Sequence, residues 1–198
     1  MTDVDDHHLK GPFTPLHGHG LRLCAWDADS DTQVEDWLRA RLDPEFGRWN
    51  TPLTRIDDLA GARAALRRRA EEAARGTSAS YRITDESSGT TLGHIGVNDI
   101  DHVFRRARVG YWVLPEARGR RVATRALLLT ARWALTDLAL HRLELGHALG
   151  HDASCTVAEH CGFRYEGTLR GAMFEADRRD AFRDEHLHAR LATDPEPA

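Results

Sequence analysis

Arg118, Gly119, Arg120 and Arg121 fall between an apolar extended run and an apolar helical run, in the stretch VGYWVLPEARGRRVA over 109–123. At such a strand-to-helix turn the first N–H groups of the helix have no partner within it and point outward at the positive end of its dipole. That arrangement suits a phosphate or diphosphate. Arginines beside it add charge and paired hydrogen bonds to phosphate oxygens. The competing reading is a solvated basic loop that only caps the helix.

Other residue types narrow the chemistry. Lys10 is the only lysine, so a Schiff base, a pyridoxal-phosphate lysine and a Walker A lysine are all improbable, because arginine stays protonated and cannot replace them. The three cysteines, Cys24, Cys155 and Cys161, form no CxxC pair and read as reduced thiols. Twelve histidines invite a metal reading, most plausibly at His186 and His188, which share one face if their stretch is a strand. No HExxH motif or Cys/His quartet accompanies them, so they read as packed or solvated and no metal is expected. A net charge of −4 provides no general field for nucleic acid, although a local basic patch remains open.

The elements that must position the turn follow from periodicity. Leu21 to Trp26 alternates as a half-buried strand. Ser30 with Gln33 reads as a capping box, opening a helix with Val34, Trp37, Leu38 and Leu42 as its apolar stripe. Asp43 and Pro44 read as N-cap and first residue of a short helix ending near Trp49. Thr54 with Asp57 opens the next, with Ile56, Leu59, Ala62, Leu66, Ala70 and Ala73 inward and Gly76 as its stop. Tyr81 to Thr84 and Thr91 to Val97 form a hairpin, in which Gly93 and Gly96 mark close backbone approach. Arg108 to Leu114 is a further strand, stopped by Pro115.

Val122 to about Thr136 has the clearest helical period. Arg142 to Ala148 is a strand, Asp152 caps a short helix with Gly162 at its end, and Phe163 to Met173 with Ala181 to Leu191 form a last hairpin. The order predicts an α+β fold. A chain of 198 residues with 41% hydrophobic and 29% charged content fits one domain, 21–193, between an N-terminal tail 1–20 and a C-terminal tail 194–198. No apolar run is long enough to cross a bilayer and the first residues are acidic and polar, which predicts a cytoplasmic protein with no membrane partner.

The arginine turn also matches a family pattern: Gln or Arg, two residues, Gly, one residue, then Gly or Ala. Here it reads Arg118-Gly119-Arg120-Arg121-Val122-Ala123, with Arg121 where glycine is usual. It resembles the acyl-CoA binding motif of the GNAT superfamily of N-acyltransferases. The Gly110-Tyr111-Trp112 lead-in and the pairs Gly162-Phe163 and Glu166-Gly167 resemble its RimJ/RimL-like branch, and the resemblance runs from Leu21 over nearly the whole chain. It implies a mixed, mostly antiparallel sheet flanked by helices. Its fourth and fifth strands, here Arg108 to Leu114 and Arg142 to Ala148, splay so that the pantetheine arm enters as a pseudo-strand. The co-substrate implied is acetyl-CoA.

On that resemblance the N–H groups of Val113 and Leu114 meet pantetheine or the thioester. Those of Gly119, Arg120, Arg121, Val122 and Ala123 meet the diphosphate, to which the Arg118, Arg120 and Arg121 side chains can add charge; Arg121 fits if its φ is helical. The implied reaction is acetyl transfer to a primary amine, a protein N-terminal α-amine or a small amino metabolite, by direct attack through a tetrahedral intermediate. The tyrosine acid of many members falls at Ala158, whereas the branch's serine falls at Ser154. His151 replaces an asparagine and is a candidate partner of pantetheine.

The branch's glutamate aligns with Met173, and an acidic residue before the lead-in aligns with Arg108. Glu144, His94, Asp99, Glu116 or a water chain remain as base, with Glu144 first. Trp49 and Trp112 are candidates for the acceptor pocket or for the core. A homodimer is a family expectation. Two alternatives stay open: another acyl donor, including aminoacyl-tRNA, and a non-catalytic CoA-binding module.

Overall fold

A computed structural model describes residues 14–50, 52, 54–176 and 178–197. In chain order the elements are β1 (Leu16–Gly18), β2 (Leu21–Ala25), α1 (Asp31–Leu42), α2 (Pro44–Trp49), α3 (Leu59–Ala74), β3 (Ala79–Asp85), β4 (Thr91–Asp101), β5 (Arg106–Val113), α4 (Val122–Thr136), β6 (Arg142–Ala148), α5 (Asp152–His160), β7 (Arg164–Phe174) and β8 (Phe182–Leu191). The strands form one sheet in the order β1-β2-β3-β4-β5-β6-β8-β7. Neighbours are antiparallel except β5 and β6. This is the α+β architecture expected, with one strand more.

Alternation along β5 explains why both faces of the sheet are covered. Ala107 and Val109 join the core beneath α4 and α5, with Val122, Ala126, Leu127, Ala158 and Phe163. Trp112 and Leu114 point the other way, into a second core with Trp26, Val34 and Trp37 of the α1 side, Phe46 of α2 and Leu66 of α3. Gly93 on β4 is glycine because a Cβ there would collide with the Trp112 carbonyl across the ladder.

One seam is incomplete. β5 and β6 pair only over Arg106–Arg108 against Arg142–Glu144. Beyond it β5 stays with β4 as far as Val113, while β6 continues along β8 to Ala148. The two strands therefore part, as the resemblance implies.

Several local expectations are corrected. Leu16–Gly18 of the expected tail 1–20 is a strand on β2, turned through His19 (φ 53°) and Gly20 (φ 70°), and three residues are too few to show a period. Residues 1–13 lie outside the described ones. Ser30 makes no side-chain cap on α1, because Gln33 accepts from the Asp27 N–H at 2.9 Å instead. Leu42 is exposed. α3 begins after Asp58, which accepts from the Gly61 N–H at 2.6 Å, so Ile56 precedes the helix and Ala70 faces out. Asp152 is the first residue of α5, not its cap. The expected C-terminal tail is tethered as far as Glu196, which pairs with the buried Arg190 at 3.0 Å.

Candidate functional site

The end of β5, the bend between β5 and α4, the α2 segment and the first turns of α4 and α5 line one cavity of about 610 Å³. Its lining includes Val113, Arg118, Gly119, Arg121, Val122, Ala123, His151 and Ser154, and so unites most of the residues expected from sequence. Leu114, Arg120 and Glu144 are not among that lining.

The edge of β5 can be read from one hydrogen bond. The Leu114 N–H donates to the Leu92 carbonyl at 2.9 Å, so it is committed to β4 and cannot serve pantetheine or an oxyanion; that expectation is corrected. Because groups alternate along a strand, the main-chain groups of Val113, Tyr111 and Val109 lie on the opposite edge, toward the gap. Val113 therefore holds the position that sequence divided between two residues.

The bend is shaped by two left-handed residues. Gly119 has φ 74° and a Cβ there would meet nothing within 4 Å, so its freedom from a side chain serves backbone conformation. Arg121 has φ 54° and ψ 27° at the N-cap of α4. The condition set for it, a helical φ, is not met. This is a position where glycine costs nothing and arginine costs about 1–2 kcal/mol. Among the described residues, the N–H groups of Gly119 to Arg121 donate to no backbone carbonyl. Those of Val122 and Ala123 belong to the first helical turn, where none exists within the helix. Five successive N–H groups are thus left without a backbone acceptor at the bend, and four of their residues, Gly119, Arg121, Val122 and Ala123, line the cavity, a donor set suited to a diphosphate.

The arginines divide their work. Arg118 is tied back, with Nε donating to the Val113 carbonyl at 3.2 Å and the guanidinium paired with Asp43; it braces the bend against α2 and is not free for phosphate. Arg120 turns toward Asp85 at 4.0 Å, outside the cavity. Arg121 makes no ion pair among the described residues, is exposed and lines the cavity, which leaves it the free charge.

At the other wall, Ser154 in the first turn of α5 is buried, with its Oγ 2.9 Å from the Tyr111 hydroxyl on β5. Burial raises the Tyr111 pKa, so its proton stays on at any ordinary pH. Sequence reasoning passed over Tyr111 as part of the lead-in. The alternation that sends Trp112 into one core sends Tyr111 to the face opposite, where α5 lies; that signal was present in the sequence, but the packing of α5 was not. His151 stacks on Trp49, with centroids 4.4 Å apart and rings 2° from parallel. Burial, then the neighbouring His147, push its pKa down to about 4. Trp49 and Trp112 both line the cavity, and Trp112 is also in the core with Trp26 and Trp37.

No expected base reaches the cavity. Glu144 is at the closed end of the seam and accepts from Arg142 Nε at 2.8 Å, which corrects its assignment. His94 is sealed among Trp26, Trp37 and Trp112, accepts from Trp26 Nε1 at 3.1 Å and is pushed well below the usual histidine pKa by burial. Glu116 pairs with Arg39 at 2.6 Å, and Asp99 is exposed on β4. Arg108, where an acid was expected, pairs with the buried Glu185 of β8. The carboxylates that do line the cavity, Asp43 and Glu45, are engaged by Arg118 and by Trp49 Nε1.

A splayed mixed sheet with a donor-rich bend at the start of α4 is the architecture of an acyl-CoA-binding acyltransferase domain. The chain belongs to the acetyltransferase (GNAT) domain family, whose profile matches residues 21–164, and to its RimJ/RimL-like branch. YdaF of Bacillus subtilis (strain 168), named as a ribosomal N-acetyltransferase, is 33% identical over 86 residues, which are 43% of this chain and 47% of that protein. The spermidine N(1)-acetyltransferase of Escherichia coli (strain K12) is 31% identical over 93 residues, 47% of this chain and 50% of that protein. The chain thus spans about half the length of the curated relatives it matches.

Among solved structures, Mycobacterium smegmatis RimJ in complex with CoA-disulfide superposes with a TM-score of 0.79 at 26% identity, covering 90% of this chain and 86% of that one. RimL, the ribosomal L7/L12 α-N-protein acetyltransferase solved with coenzyme A, shares the fold, with a TM-score of 0.80 at 18% identity and 90% and 98% coverage. Among the described residues no helix is long and apolar enough to cross a membrane.

Proposed function

We propose that the chain is an acyl-CoA-dependent N-acetyltransferase whose acceptor is the N-terminal α-amine of a protein, a ribosomal protein in the first instance. The carrying observation is the continuity of one cavity from the bend residues Gly119, Arg121, Val122 and Ala123, past the open edge of Val113, to the Tyr111–Ser154 hydroxyl pair. Acetyl-CoA supplies an activated acyl carbon. The bend N–H groups and Arg121 hold its diphosphate, and the free edge of β5 takes the pantetheine arm as an added strand.

The Val113 N–H faces the position where negative charge grows on the acyl oxygen, and a fixed donor there favours direct attack by the amine. Ser154, oriented by its hydrogen bond to Tyr111, delivers a proton to the departing sulfur and regains one from water in the cavity, while Tyr111 keeps its own; a positioned acid of this kind is worth about 10²–10⁴-fold in rate. Water at the open mouth takes the ammonium proton, since both lining carboxylates are engaged.

The amine class is supported by the names of the similar proteins, two ribosomal and one polyamine. Steady-state thiol release with N-terminal peptides of ribosomal proteins and with spermidine, followed by mass spectrometry of the products, separates them. We expect acetylation of a peptide α-amine with kcat/KM at least tenfold above that for spermidine. Tight CoA binding with no turnover on any amine would overturn the enzyme reading in favour of a CoA-binding module.

A further inference from the structure

The geometry points to a transition-metal site made by His147, Cys155, His186 and His188, which takes a zinc-class ion and pins the first turn of α5 to the sheet. The four side chains come from three elements, β6, α5 and β8, and their ligand atoms all lie within 4.8 Å of one another. His188 Nε2 is 3.2 Å from His147 Nε2 and 3.5 Å from Cys155 Sγ. A tetrahedral zinc, with Zn–N about 2.0–2.1 Å and Zn–S about 2.3 Å, sets neighbouring nitrogens about 3.3 Å apart and nitrogen and sulfur about 3.6 Å apart. Both contacts have the length of an edge of that tetrahedron. Three imidazoles and a thiolate are borderline-soft donors of the kind that select zinc over calcium or magnesium.

Proton accounting supports the same conclusion. His147 Nδ1 lies 3.1 Å from the Ala148 carbonyl. A carbonyl can only accept, so Nδ1 carries the proton and Nε2 presents a bare lone pair to the cluster, the tautomer a metal ligand needs. Cys155 can direct its S–H to Glu159 Oε1 at 3.7 Å, which leaves sulfur lone pairs facing His188. Lone pairs of His147 and Cys155 therefore converge on one ring nitrogen of His188, which can carry one proton. His147 and His188 are buried, and Tyr165 covers His186 and His188, its ring centroid 5.1 and 5.6 Å from theirs. On binding, the ion forms one bond to sulfur and three to nitrogen, the Cys155 thiol proton leaves to solvent, and the His188 ring proton moves from Nε2 to Nδ1, freeing the Nε2 lone pair.

The site was not legible as a whole in the chain. His186 and His188 are two residues apart on β8, but their co-ligands stand 31 and 39 positions earlier. β6 and β8 are neighbours, and their register sets His147 opposite His186 and Leu145 opposite His188.

The test is a cobalt(II) and zinc(II) titration of the reduced chain. One equivalent of Co²⁺ should give tetrahedral d–d bands and a sulfur-to-metal charge-transfer band, both displaced by Zn²⁺. Cys155→Ser should abolish the charge-transfer band, whereas Cys24→Ser should leave it. His186→Gln should weaken Co²⁺ binding by more than about tenfold. A measurement that needs no variant is the alkylation of Cys155 in the wild-type chain, mapped by mass spectrometry. Stoichiometric Zn²⁺ should slow it at least about tenfold. An unchanged alkylation rate with Zn²⁺ present, or a charge-transfer band that survives Cys155→Ser, would overturn the site.

Discussion

The seam between β5 and β6 has two ends that differ in almost every respect. At the closed end, Arg106–Arg108 and Arg142–Glu144 form a parallel ladder, and Arg142 ties Glu144 and Glu166 together at 2.8 and 2.5 Å. At the open end, Val109 to Val113 and Leu145 to Ala148 have no ladder between them, and the cavity with Tyr111 and Ser154 occupies that side. Charged side chains saturate one another where backbone pairing is complete. Where pairing is given up, main-chain donors and hydroxyls are left for something else to satisfy. A carboxylate on β6 is therefore poorly placed for chemistry when it stands at the zipped end, however acidic it is.

The contrast can be broken most severely at the open end. Gly119→Asp puts a carboxylate among the bend donors, and isothermal calorimetry should register loss of acetyl-CoA binding by about 100-fold or more. Gly119→Ala, which bears only the strain of φ 74° at about 1–2 kcal/mol, should retain most of the affinity. Equal affinity for the aspartate and alanine variants would remove the diphosphate from this bend.

A smaller loss belongs to the hydroxyl pair. Ser154→Ala should lower kcat by about 100-fold and Tyr111→Phe by about tenfold, with the acetyl-CoA KM within about twofold in both, as expected of a proton donor and the group behind it. Steady-state thiol release measures both. A rise in KM without a fall in kcat would assign the pair to binding instead.

Next is the strained turn. Arg121→Val places a β-branched residue at φ 54°, and thermal or urea unfolding should show a loss of about 1–2 kcal/mol relative to Arg121→Gly. The glycine variant, lacking the guanidinium, should bind acetyl-CoA several-fold more weakly than wild type despite its relaxed backbone.

The smallest effect is expected at the closed end. Glu144→Gln should leave kcat within about twofold of wild type and cost no more than about 1 kcal/mol of stability, because its partner is a partly solvated arginine. A collapse of kcat in this variant would restore Glu144 as the base.

Much of the fold was readable because its signals are local. The helix Val122–Thr136 and the strand Arg142–Ala148 fall on their expected limits, since each has a clear apolar period and a clear stop. The start of α3 and the cap of α1 were misread for a common reason: several acidic and hydroxyl side chains stand near each boundary, and packing chooses among them. Asp58 prevails over Thr54 and Asp57 because it alone reaches the Gly61 N–H, and Gln33 is drawn away to Asp27.

The make-up of the bend, the strand and helix either side of it, and the serine at the start of α5 are legible along the chain, because they lie within a few residues of one another or in a family pattern. Packing alone sets Leu114 on β4 while Val113 faces the gap, makes Arg118 a brace and leaves Arg121 free, brings Tyr111 to Ser154, and gathers His147 and Cys155 beside His186 and His188. Each of those depends on which strands pair and where pairing stops. That choice is made by burying both faces of the sheet at once, a condition imposed by residues far apart in the chain.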